Sequence, residues 1–494
     1  MSTAKKFAGQ TAIYGLTTIV QKLLSSLLTP LYTSAYNPKV YSIFSTMFSY
    51  AAVFQVVMAF GMETTFFRYL NKYQDKKAQV FNNSFWAVFM VSIAFLLLTL
   101  PFTHTIAGFI KIGNTTSQQE FELYIRYFIG ILVLDAWCAI PFAKLRADGR
   151  PIKYGLVKVV NIVVTVVLNL VLIVIIPYLI RNNLTGATYF KQWFVTGWVG
   201  YAFISNLIAS FVTLLMLLPE FLKLQLRFDK ELFKPMLAYS WPVMIAGLSY
   251  IINENLDKIL LGKLLPDSIS EQQVGIYSAC ARISIFLSLF NQAFRMGAEP
   301  FFFSHAKNKN SGNTYARIMD YFIITMCVMC VAVVANIEIL KHYINNRAYW
   351  VGLDVVPPLL LGYVSLGVYT NLSIWYKLSD QTKYGLYISG IGAIVTIVLN
   401  VVFIPKYSYM ASAWASLIAY ASMMIMSYIW GQKNYPIPYN LKKNLTYIIS
   451  SVIIVFLSFS VFHRSLLIGN GLLVLFAGAA FMAERKQIMA ILKK

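Results

Sequence analysis

Lys153-Tyr154-Gly155-Leu156, followed by Val164-Thr165-Val166-Val167-Leu168-Asn169, returns about 230 residues later as Lys383-Tyr384-Gly385-Leu386 and Val395-Thr396-Ile397-Val398-Leu399-Asn400. The spacing slips by one residue. A second pair agrees: Gly61-Met62-Glu63-Thr64-Thr65-Phe66-Phe67 matches Gly297-Ala298-Glu299-Pro300-Phe301-Phe302-Phe303 at a similar offset. The chain is therefore two related halves, each holding about six apolar segments. Paired halves of this kind mark a transporter whose substrate path lies between them.

Composition decides the solvent. Of 494 residues 58% are hydrophobic and 12% charged, and mean hydropathy is +0.64. A water-soluble globule carries about a quarter charged residues, so this chain needs lipid. Apolar runs long enough to cross the hydrocarbon core as helices fall near 9–34, 40–67, 81–103, 120–143, 154–180, 194–219, 235–262, 274–302, 315–340, 355–377, 384–405, 408–431, 445–462 and 465–483. The expectation is an all-α polytopic membrane protein of about 14 transmembrane helices. Two pseudo-symmetric six-helix lobes, 1–219 and 235–433, are joined by a cytoplasmic linker, 220–234. Residues 434–494 add spans 13 and 14 and a cytoplasmic tail, an unpaired appendix.

An even number of spans puts both termini on one side. The N-terminus, segments 68–80, 144–153, 220–234, 304–317, 377–383 and 432–444, and the C-terminus hold 26 of the 41 Lys and Arg; the opposite loops hold nine. The positive-inside bias assigns both termini to the cytoplasm. Net charge +22 then reads as orientation and attraction to anionic lipid, not as nucleic-acid binding. The first span follows Lys5-Lys6 with no small-residue cleavage site, so a retained helix is expected. Cys138, Cys280, Cys327 and Cys330 all sit in apolar segments, and the Cys327-x-x-Cys330 spacing has no neighbouring His. They read as small buried hydrophobes, with no metal or cofactor site implied.

Intramembrane charge is the main pointer to function, because each such side chain costs about 2.5 to 3.5 kcal/mol on insertion scales and needs a partner, water or a use. The bases are Lys22, Arg126, Lys158, Lys258, Arg282 and Arg295; the acids are Glu63, Asp135, Glu254, Asp257 and Glu299. Lys158 and Arg295 lie within reach of a cytoplasmic end and can snorkel. In Asn253-Glu254-Asn255-Leu256-Asp257-Lys258, Glu254 and Lys258 stand four residues apart on one helical face in the favourable order. That spacing predicts an internal pair with Asp257 left unmatched on an adjoining face, a polar cavity wall. Arg295 and Glu299 repeat the i,i+4 relation, and Glu63 holds the matching place in span 2, so these read as lobe-internal clasps near the cytoplasmic gate. Lys22, Arg126, Lys258 and Arg282 are candidate cavity cations for an anionic group such as a diphosphate. Glu63, Asp135, Glu254, Asp257, Arg295 and Glu299 are candidates for ion coupling, to a proton or sodium ion, or for gating. Pro30, Pro141, Pro242 and Pro300 permit bends where helices line a cavity, or serve as packing kinks.

With these residues in view the chain resembles the polysaccharide-transport branch of the multidrug/oligosaccharidyl-lipid/polysaccharide (MOP) exporter superfamily, the Wzx-type lipid-linked oligosaccharide flippases. The likeness rests on Thr29-Pro30-Leu31-Tyr32, Gly61-Met62-Glu63-Thr64-Thr65-Phe66-Phe67-Arg68-Tyr69, Asp257-Lys258, Val274-Gly275-Ile276-Tyr277-Ser278 and the Asn169 and Asn400 helices. It implies a two-lobed body that alternates between inward- and outward-facing states. It also implies a bacterial inner-membrane location, an undecaprenyl-diphosphate-linked oligosaccharide such as an O-antigen unit of lipopolysaccharide as substrate, and membrane lipids and glycan-assembly proteins as partners. An ion gradient rather than ATP fits the absence of a Gly-x-x-x-x-Gly-Lys-[Ser/Thr] loop. Three alternatives stay open: a MurJ-type lipid II flippase, a cation-coupled multidrug antiporter, and, from another class, a membrane glycan polymerase or ligase. The first would show several arginines converging in spans 1, 2 and 8. The second would show 12 spans and an acidic cavity, and the third a large outer loop with catalytic groups. No enzyme activity is expected.

Overall fold

The computed structural model describes residues 15, 17, 19–225, 227–305, 311–379 and 381–492, with the side chains of 300, 304 and 486–492 outside the description. Among the described residues there is no strand. Thirteen helices among these residues are long and apolar enough to cross a membrane, from Pro38–Lys72 to Leu466–Arg485. They match the last thirteen expected spans, and the first is described from its middle onward. The principal helices are α1 Leu28–Ala35, α2 Pro38–Ala59, α3 Met62–Lys72, α4 Lys77–Thr99, α5 Gln118–Ala147, α6 Pro151–Leu170, α7 Gly200–Phe221, α8 Lys230–Leu264 and α9 Asp267–Ala281. After these come α10 Ile285–His305, α11 Ser311–Ala335, α12 Val356–Leu372, α13 Lys383–Tyr407, α14 Tyr409–Asn434, α15 Leu441–Phe456 and α16 Leu466–Leu492.

By packing the chain divides into two compact units, Met1–Ser278 and Ala279–Lys494. In the first, α7 packs on α5 and α6, α4 on α5, and α8 along α2. An aromatic seam runs through Tyr32, Phe44, Phe48, Phe128 and Phe203, with ring centroids 4.5 to 5.1 Å apart at the Tyr32–Phe44, Phe44–Phe48, Phe48–Phe128 and Phe128–Phe203 contacts. The α2–α3 bend comes from two successive left-handed residues, Phe60 and Gly61. Gly61 also faces the Ser240 carbonyl of α8 so closely that a Cβ would overlap it. Gly275 of α9 has the same role against the Pro38 carbonyl, so small residues set the helix approach here.

Two differences from the sequence expectation have local causes. The span expected at 194–219 begins as a helix only at Gly200, because Phe194 and Trp198 belong to a loop folded back on Tyr201, with centroids 4.5 and 4.9 Å from it. Their apolarity serves burial, not spanning. The connecting segments 104–119 and 181–193 hold short helices, Thr103–Ile110 and Ala187–Lys191.

In the second unit α14 packs on α12 and α13, and α11 lies against α12. The appendix is not detached: both α15 and α16 pack on α11. Lys443 Nζ bridges Glu484 at 2.8 Å and Asp320 at 3.3 Å, and Asn336 and Asn470 exchange amide hydrogen bonds, both 3.1 Å. Sequence reading passed over Asp320, Lys443 and Glu484 because each stands near a segment end.

The duplication extends to side chains. Asn169 Nδ2 donates to the Thr165 carbonyl at 2.7 Å, and Asn400 Nδ2 to the Thr396 carbonyl at 2.7 Å. Both asparagines are fully buried, where an unpaired amide would be costly. Their Oδ1 atoms are satisfied differently, by the Tyr32 hydroxyl in the first unit and the Ser412 hydroxyl in the second.

Candidate functional site

At the head of α3, Glu63 forms an ion pair with Arg146 near the end of α5. Arg146 also lies over the Phe67 ring, 4.9 Å from its centroid. In the second unit Glu299 of α10 pairs with Lys377, 2.7 Å away. Repeat-equivalent acids thus each hold a base two spans further on. Arg295, expected to pair with Glu299, is exposed and makes no ion pair among the described residues. It borders a small cavity of mixed lining, with Asn291, Glu299, Asn371 and Lys377 beside Phe294 and Phe322, whose free space of about 20 Å³ admits about one water. Among the described residues the buried Asn291 Oδ1 and Asn371 Nδ2 have no hydrogen-bond partner, and such groups call for a water or ion.

The α8 cluster departs from the expected pairing. Lys258 Nζ lies 2.9 Å from the Asp257 carboxylate and reaches only the backbone carbonyl of Glu254, at 3.2 Å. Asp257, expected to be unmatched, is buried and also accepts a 2.5 Å hydrogen bond from the Tyr277 hydroxyl of α9. The adjacent-residue pair wins because a buried carboxylate must be neutralised on the spot, and the Tyr277 hydroxyl donates to its second oxygen. It is Glu254 whose carboxylate enters no ion pair among the described residues.

Asp135 of α5 accepts 2.8 Å from the Ser210 hydroxyl of α7, and Lys158 of α6 stands 4.3 Å from the Phe142 ring centroid, a cation–π contact. Arg126 is exposed, with Glu122 one turn away at 3.9 Å. Lys22 and Arg282 are exposed. Arg282 opens a 3-10 break, Arg282–Ser284, between α9 and α10, an interruption that periodicity did not signal. Such mid-span breaks mark hinges. The structure therefore sorts the ten candidates. Asp257 and Lys258 join, Glu63 and Glu299 take bases outside the candidate set, Asp135 is held by a serine, and among the described residues Lys22, Arg126, Arg282, Arg295 and Glu254 keep polar heads uncommitted or weakly committed. Among the described residues no cluster of His, Cys, Asp and Glu could hold a metal ion.

The profile of the family described as polysaccharide biosynthesis protein matches residues 7–305. The chain belongs to that family. Residues 242–402 also match the MatE profile, and membership of the MOP exporter superfamily follows from the two together. The fold agrees with the lipid II flippase MurJ in its inward closed conformation, at TM-score 0.70 and 13% identity over 96% of this chain and 99% of that one. It also agrees with an inward-facing multidrug resistance MATE family transporter, at TM-score 0.63 and 13% identity over 85% of this chain and 97% of the other. A third likeness is to a MOP superfamily transporter from Pyrococcus furiosus, at TM-score 0.58 and 13% identity over 87% and 94%. No curated protein matches the chain by sequence. The chain is a multi-pass membrane protein of a superfamily of transporters and flippases.

Proposed function

We propose that the protein is a flippase that carries an undecaprenyl-diphosphate-linked oligosaccharide, an O-antigen or similar repeat unit, from the inner to the outer leaflet of the bacterial inner membrane. The observation that carries this reading is the family match over 7–305, joined to a fold that agrees with a lipid II flippase over 96% of the chain. The MATE structures leave 13 to 15% of the chain uncovered, a share close to that of the α15–α16 appendix. A lipid-linked substrate needs a hydrophilic route for glycan and diphosphate while its tail stays in hydrocarbon, and duplicated transporters place their substrate sites at the repeat interface.

In this reading Lys22, Arg126 and Arg282 meet the diphosphate, the arginines through paired hydrogen bonds. Lys258, bound to Asp257, contributes less. Glu254 is the first choice for ion coupling, since Asp257 is engaged by Lys258 and Tyr277. The two clasps, Glu63–Arg146 and Glu299–Lys377, act as gate elements on the cytoplasmic side. No step needs ATP. Complementation tests the reading: expression in a bacterium that lacks its own O-unit flippase should restore surface glycan, and failure with verified membrane insertion would count against it. Restored growth of a strain lacking its lipid II flippase would move the substrate to lipid II.

A further inference from the structure

Glu220, at the end of α7, is fully buried and holds three cations at once: Lys223 at 2.7 Å, Lys153 at 3.2 Å and Arg150 at 3.4 Å. Arg150 and Lys153 both address Oε1, and Lys223 addresses Oε2. One carboxylate cannot balance three bases, so the cluster keeps two positive charges, on side chains that are 31 to 50% exposed. The start of α6, at Pro151, carries no side-chain cap and adds the positive end of a helix to the same place. From this cluster each of two packed helices sends out a lipid-type stripe. On α6 the exposed apolar residues nearest the cluster are Ile152, Leu156, Val159 and Val163; on α7 and its C-cap they are Leu222, Leu218, Leu215 and Phe211. Both follow the four-three-four spacing of one helical face. The residues next to the bases are the most exposed of each stripe, Ile152 at 80% and Leu222 at 79%.

We propose that Arg150, Lys153 and Lys223, gathered by Glu220, form a binding site for the phosphate of an anionic membrane phospholipid whose acyl chains lie on the α6 and α7 stripes. The second anion relieves the crowding of three cations that Glu220 alone brings together. The apolar stripes choose a lipid over free phosphate, because a soluble anion has no use for them. The Lys and Arg bias assigns this end to the cytoplasmic leaflet, where anionic lipids meet basic pockets between helices. The inference does not depend on what the protein transports.

Native mass spectrometry of the full chain in detergent tests it, with phosphatidylglycerol, phosphatidylcholine, inorganic phosphate and an isoprenyl diphosphate as separate probes. The wild type is expected to retain phosphatidylglycerol about tenfold over phosphatidylcholine, and the Arg150→Gln, Lys153→Gln, Lys223→Gln triple variant to lose that preference. Should the triple variant not insert, the Lys153→Gln, Lys223→Gln double variant is expected to lose most of it. A thermal shift of the wild type by phosphatidylglycerol and not by phosphatidylcholine supports the site independently. Equal retention of both lipids, or undiminished preference in the variants, overturns the proposal. Displacement of the lipid by equimolar inorganic phosphate overturns the lipid assignment, and displacement by isoprenyl diphosphate alone gives the site to the substrate.

Discussion

Glu299 accepts from Lys377 at 2.7 Å, and Glu63, its repeat equivalent, accepts from Arg146. Each pair ties the end of a lobe's second span, or the helix that continues it, to the end of the fourth. Both acids are more than a third exposed, so each pair contributes at most about 1 kcal/mol to stability. Persistence of a weak contact in both halves argues for a conformational role. Glu299→Gln is expected to leave the melting temperature within a few degrees of wild type while lowering transport several-fold. The charge-swapped Glu299→Lys, Lys377→Glu variant should recover most of the loss. An unchanged rate in Glu299→Gln would remove the gate assignment.

The Asp257 site behaves oppositely. Removing one partner from a buried pair costs about 3 to 5 kcal/mol, so Asp257→Asn should lower thermal stability strongly, and Tyr277→Phe by about 1.5 to 3 kcal/mol for a hydrogen bond to a charged group. Glu254→Gln, with no ion pair to lose, should melt like wild type and still fail to couple transport to an ion gradient. Thermal denaturation in detergent, set beside gradient-driven uptake, separates the two carboxylates.

At Gly275 a methyl group would overlap the Pro38 carbonyl. Because the obstacle is backbone, Gly275→Ala should cost about 1 to 3 kcal/mol as overpacking does, read as reduced yield and melting temperature. Gly478, with open space at its Cβ, should accept alanine without effect.

Much of the architecture was legible because lipid imposes length and apolarity on every span, and duplication prints the same helix twice. The Thr165–Asn169 and Thr396–Asn400 bonds lie within the strings that revealed the repeat. Partner choice was less legible. The i,i+4 rule joined Glu254 to Lys258 and Arg295 to Glu299, but Lys258 has a buried neighbour at Asp257 and Glu299 meets Lys377 from another span, and neither fact is periodic. Glu220 escaped notice because it lies where a helix leaves the membrane, where a charge looks ordinary until its burial is known.

Detachment of the appendix offers a further check. The Asn336–Asn470 amide exchange and the Lys443 bridges hold α15 and α16 to α11, with interhelical hydrogen bonds in membranes worth about 0.6 kcal/mol each and up to about 1.7. Asn470→Ala with Lys443→Ala should increase protease cleavage in the 435–440 connection several-fold, while either change alone should have a small effect.

The most direct measurement follows a short-chain isoprenyl-diphosphate-linked oligosaccharide in vesicles containing the purified protein, using a lectin to report the leaflet in which the glycan lies. The account predicts protein-dependent exchange between leaflets that Arg282→Ala and Arg126→Ala abolish without loss of insertion. Vesicles that exchange the glycan no faster than protein-free lipid, or full exchange by both arginine variants, would contradict it.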